Sequence, residues 1–167
     1  MAIVDKAGSV NNLSSVDTSK LLIAQNVTNG GKIRIIRDTV EIAAGDDNGS
    51  KYRFARIPAN AVIKEITIAC DAITGGTDFD LGFYDVPDTN SGAVIDADAL
   101  VDGQTLASAS RTLDGTSNVN IADLHKKAWE IAGLSEDPNK QFDIVLTGNT
   151  VGTAAGTVTI TVIYSLD

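Results

Sequence analysis

Seven aspartates gather between residues 78 and 102, at Asp78, Asp80, Asp85, Asp88, Asp96, Asp98 and Asp102. Oxygen-rich loops of this kind bind Ca²⁺, but neither half of the set follows the D-x-[DN]-x-[DN]-G spacing of a calcium loop. Asp at alternate positions is also what a strand with one wet face shows. Two facing carboxylates would serve a glycosidase. Such a cleft is lined with aromatics, and the whole chain has one Trp, three Tyr and four Phe. His125 and Cys70 are each the single residue of their type, so a thiolate zinc cluster and a histidine-rich metal site are excluded. Cys70 ends an apolar run and reads as a buried structural thiol. His125 sits beside Lys126 and Lys127 with no nucleophile motif near it, the setting of a solvated side chain. No phosphate-binding glycine loop appears. The residues give no catalytic set and no cofactor site.

The 167 residues suit one domain with a sizeable core. Charged residues make up 21% and the net charge is −9. Residues 1–57 hold eight Lys/Arg against six Asp/Glu, whereas residues 58–167 hold five against sixteen. An acidic body repels nucleic acid and anionic membranes, so neither is expected as a partner. No apolar run has the length of a spanning helix. The N-terminus lacks a basic-then-apolar signal pattern and reads as an intracellular product, which sets aside the glycosylation-type triplets at Asn12 and Asn26.

The elements that would position these residues are mostly strands. Lys51–Asp85 reads as three strands separated by Ile57–Ala61 and by Thr74–Thr77, with Phe79, Leu81 and Phe83 on one face. Pro58 belongs at a strand end or corner, because it has no amide hydrogen for a ladder. Lys20–Val27 and Lys32–Ala44 read as a hairpin through Thr28-Asn29-Gly30-Gly31. Ile33, Ile35, Val40 and Ile42 are the candidate inward residues there, and the change of phase between Ile36 and Val40 predicts a bulge or break. Residues 86–118 read as a long loop insertion, with a helical turn or two over Asp98–Ala107. Ile121–Leu134 is the best helix candidate, with Gly133 at its C-cap and Trp129 as an anchor against the sheet or else an interface hot spot. Phe142–Leu146 and Thr157–Tyr164 alternate cleanly, the latter with Thr157, Thr159 and Thr161 on a face that is half exposed or lines an interface. The total is an all-β, jelly-roll-like β-sandwich of about eight strands (20–167), one short helix and an extended N-terminal arm (1–19).

Two sets of residues are candidates for contact with a partner. The arm carries isolated apolar side chains, Ile3, Val4, Leu13 and Val16, and orders when it has a surface to lie on. Arg34, Arg37, Arg53 and Arg56, with Lys32, form a basic strip on the early strands, either solvated or docked on an acidic protein surface.

Three stretches, YRFARIPANAVIKEITIACDAITGGTDFDLGFYD (52–85), KKAWEIAGLSEDPNKQFDIVLT (126–147) and AAGTVTITVIYSLD (154–167), resemble the head decoration or cement proteins of tailed bacteriophages. The resemblance covers most of residues 51–167 in order, while the arm and the 86–118 stretch match weakly. It implies a jelly-roll protein made in the host cytoplasm that assembles as a homotrimer on the outer surface of a capsid. There it would clamp neighbouring major capsid protein subunits, with no enzymatic activity. A jelly-roll tail or fibre module that binds host carbohydrate is the alternative, and it requires aromatics exposed on loops.

Overall fold

The computed structural model describes Ile3, residues 5–7 and residues 33–166. The strand and hairpin expected over residues 20–31 lie outside the described residues, as do Val4, Leu13 and Val16. Nine strands run in chain order through the described residues: β1 (Asp5–Ala7), β2 (Ile33–Ile42), β3 (Ser50–Pro58), β4 (Ala61–Cys70), β5 (Asp78–Asp85), β6 (Val94–Gln104), β7 (Ser110–Asp114), β8 (Gln141–Thr150) and β9 (Gly156–Leu166). One sheet has the order β1-β3-β8-β5-β6 and the other β2-β9-β4-β7. Apart from β1, every pairing is antiparallel. The two four-stranded layers β3-β8-β5-β6 and β2-β9-β4-β7, between which the chain passes back and forth, are the wiring of a jelly roll. β1 is an addition to it, paired parallel to β3 with Asp5 opposite Lys51 and Ala7 opposite Arg53.

The layers close because each strand of Lys51–Asp85, and each of the last two, has one apolar face. Phe54, Phe79, Leu81, Phe83, Phe142, Ile144 and Leu146 come from the first sheet, and Ile42, Ile66, Ile68, Val158, Ile160 and Val162 from the second. They meet in one core, where a fully buried side chain of this size contributes about 1.5–3 kcal/mol. Phe83 and Phe142, on neighbouring strands, have ring centroids 5.6 Å apart. Pro58 is the last residue of β3, at the end where its missing donor costs nothing.

Three local expectations are corrected. The first is the break in β2. This strand pairs with β9 without interruption from Ile33 to Ile42, so Ile33 and Ile35 point outward, each 66% exposed, and Asp38 points inward and is fully buried. The regular Val158-Ile160-Val162 face of β9 sets the register, and β2 follows it at the expense of its own apolar pattern. The second is the 86–118 stretch, most of which is β6 and β7; its helical turn is at Pro87–Asn90, and β6 occupies Asp98–Gln104 where a turn was expected. Among the described residues β6 is an edge strand that pairs only with β5, through several register shifts, and that pairing outweighs the poor strand propensity of its Asp and Gly residues. The third is the helix over 121–134, which is a 3₁₀ turn at Ile121–Asp123 and a single α-turn at Ala128–Ile131. Lys127 is extended because it bridges to Val62, and the Glu130 carboxylate caps its amide at 2.9 Å. Leu124 is consequently exposed, while Trp129 packs against the core and Gly133 adopts a positive φ of 70° just beyond the turn.

At the end of the sandwich formed by residues 43–49, 71–77, 105–109 and 151–155, the loops are knit to one another by their backbones. Thr153 N donates to Thr74 O (2.9 Å), Leu106 N to Gly76 O (2.9 Å) and Ile73 N to Leu106 O (2.9 Å). Gly152 sits at φ 89°, and a Cβ there would collide with Thr74 O and the Gly76 amide. Gly152→Ala is expected to lower the unfolding free energy by about 1–3 kcal/mol. In urea titration this appears as a lower midpoint with an unchanged slope.

Candidate interaction surfaces

The residues with the most developed polar geometry are on the outer side of the first sheet. In a regular strand Arg53 and Arg56, three apart, would face opposite ways. A β-bulge between Arg53 and Ala55 lets Phe54 and Ala55 both enter the core, and the phase change turns both arginines outward. There they share one carboxylate. Arg53 Nη1 lies 3.2 Å from Asp143 Oδ2, and Arg56 Nε lies 2.7 Å from Asp143 Oδ1. Asp143 is fully buried and Arg53 is 2% exposed. Arg53 also donates to the carbonyls of Asp85 (3.4 Å) and Gly92 (3.3 Å), tying the segment after β5 over the sheet. Asp85 pairs in turn with Lys140. The Tyr84 ring lies between Lys51 and Arg53, each cation 5.8 Å from its centroid, and its hydroxyl meets Thr147 Oγ1 at 2.7 Å.

The four candidate arginines are therefore not one strip. Arg53 and Arg56 belong to β3 and are engaged by Asp143, whereas Arg34 and Arg37 belong to β2 in the other sheet. Arg37 is exposed and its Nε donates to Thr161 Oγ1 at 2.8 Å. Arg34 stands opposite Tyr164. Burial pushes the Tyr164 phenol up, and the charge of Arg34 opposes that rise. Ile3, from the arm, is 70% exposed and lies beside Gly49. The composition of the early strands made Arg53 and Arg56 look exposed. The counter-signal was in the sequence: in YRFARI the adjacent Phe54 and Ala55 break strict alternation, as a bulge does.

The aspartates do not form a cation cage. Asp80 accepts from Gly103 N (2.9 Å) and Asn149 Nδ2 (2.6 Å), and Asp78 accepts from the same Asn149 at 3.4 Å. Among the described residues no three His, Cys, Asp or Glu side chains are grouped to hold a metal. Asp96, partly buried, has its carboxyl pushed up by that burial and then by neighbouring Asp98. Burial likewise raises the Cys70 thiol, which keeps it protonated and inert. Tyr52 donates to Asp46 Oδ2 at 3.1 Å. Burial, and then the Asp46 charge, hold its phenol far above the ordinary value. All four Phe and all three Tyr are buried, and Trp129 is packed against the core. A carbohydrate platform of exposed aromatics is not built here.

No protein-family model and no curated protein matches the chain. Solved structures do. The chain has the fold of a phage capsid chain. In the capsid of Ralstonia phage GP4 the match has a TM-score of 0.61 at 14% identity, covering 84% of this chain and 88% of that one. The cyanophage Pam1 capsid also matches, with a TM-score of 0.48 at 15% identity over 83% and 87%.

The shared carboxylate generates a stability prediction. Asp143→Ala leaves Arg53 buried without its counter-charge and is expected to cost about 3–5 kcal/mol. The double variant Arg53→Met, Asp143→Leu, which removes both buried charges, is expected to recover most of that loss in the same denaturation experiment.

Proposed function

We propose that this chain is a structural virion protein that decorates the outer surface of a bacteriophage capsid and clamps neighbouring major capsid protein subunits. The observation that carries the reading is the jelly-roll wiring with an extra N-terminal strand. Eight strands complete the sandwich, and β1 is laid parallel along the free side of β3 with Ile3 exposed beyond it. β1 pins this segment to the edge of its own sheet, where exposed Ile3 is available to a neighbouring surface. Support also comes from the fold likeness to a chain of the Ralstonia phage GP4 capsid. The burial of the aromatics removes the main support for a carbohydrate-binding module.

On this reading the chain works by contact and performs no reaction. The arm, with Ile3, Val4, Leu13 and Val16, supplies the apolar contact with the capsid. Arg53 and Arg56 act from within, holding the sheet that carries the arm. Copies associate with one another, as a homotrimer, so each particle-bound unit engages the lattice at several points. Small contact energies then add through multivalency.

Removal of residues 1–19 tests the reading. Expanded capsids are expected to pellet the full chain, and the truncated chain is expected to bind at least tenfold more weakly while still unfolding cooperatively. Unchanged binding by the truncated chain overturns the role of the arm. A full chain that stays in the supernatant overturns the capsid reading itself.

A further inference from the structure

The outer faces of the two sheets differ. On β3-β8-β5 the outward side chains Arg53, Asp143, Val145, Thr147 and Tyr84 are buried, and Lys51, Arg56 and Asp80 are half-buried. On β2-β9-β4 the outward face is open, with Ile33 and Ile35 exposed and Thr157, Thr159, Thr161 and Ile163 half-exposed. Ile35 stands opposite Ile163, and Arg37 opposite Thr161. We propose that this open face is the surface through which copies of this chain associate.

Charge selects a second copy as the occupant. Each chain carries a net −9, so two copies repel each other over most of their surface. β9 has no charged residue, and the outward charges of β2 and β4 balance, Arg37 and Lys64 against Glu41 and Glu65. Lys64 and Glu65 are both outward because β4 has a bulge between Ile63 and Glu65. Most of these polar groups are also bonded within the face. Arg37 Nε donates to Thr161, Thr157 Oγ1 to Glu41 Oε2 (2.6 Å) and Thr67 Oγ1 to Glu65 Oε1 (2.9 Å), while Thr39 and Thr159 hydroxyls meet at 2.9 Å. A face satisfied in this way loses water without stranding a charge. Three strands of ten or eleven residues at sheet spacing make a face of roughly 500 Å², more than half of the ~800 Å² that one partner contributes to a standard interface.

The inference deepens the self-association in the proposed function, which it takes as its starting point, but it is tested on purified full-length chain without capsids. Failure here therefore leaves capsid binding to be judged separately. Sedimentation equilibrium at micromolar concentration is expected to give a mass of more than one chain. Ile35→Lys with Ile163→Lys is expected to weaken that assembly at least tenfold. Ile121→Lys, at an 86% exposed position on the 3₁₀ turn, should leave it intact. Thr161→Lys, a single change on the same face, decides the matter if circular dichroism shows the double variant unfolded. A wild-type chain that sediments as a monomer overturns the proposal, and so does a folded face variant that stays assembled.

Discussion

The structure depends on one buried carboxylate. Asp143 lies fully inside the protein and is paired with two arginines that a regular strand would have placed on opposite faces. The bulge at Phe54 is what lets both reach it. A buried ion needs partners to offset its desolvation, so the cluster fixes the register of β3 on β8 and, through the Gly92 and Asp85 carbonyls, the path of the chain after β5. The first sheet is thereby locked on its outer side as well as in the core. β1 lies along that same β3, opposite Lys51 to Arg53, so β1 and the cluster share one strand.

The second sheet is governed by a different constraint. Its inner face is an unbroken series of β-branched residues on β9, and neighbouring strands take their register from it even where their own pattern objects. β2 accepts a buried Asp38 and exposes two isoleucines for that reason. The outcome is a sandwich whose outer faces differ, one mostly buried and one exposing isoleucines.

The legible parts of the fold were those with strong period-2 alternation. The three strands of Lys51–Asp85, the Phe142–Leu146 run and the Thr157–Tyr164 run all form as the sequence implies, and the all-β jelly-roll class follows from them. β6 and β7 were hidden because an edge strand pairs on one side only and tolerates the Asp and Gly residues that make a loop look plausible. The helix over 121–134 was misleading because periodicity cannot reveal that Lys127 is drawn out to bridge Val62. At the candidate sites, the outward direction of Asp143 was readable from its place between Phe142 and Ile144, but its burial depends on loops distant in sequence. That Arg53 and Arg56 share one carboxylate, while Arg34 and Arg37 lie in the other sheet, needed the register of β3.

The measurement that tests the proposed clamp most directly is the copy number of this chain in virions purified from the cells that make it, by quantitative mass spectrometry against the major capsid protein. A lattice-wide clamp predicts roughly one copy per capsid subunit, as repeated symmetric contacts require. A few copies per particle, or none, would contradict the account.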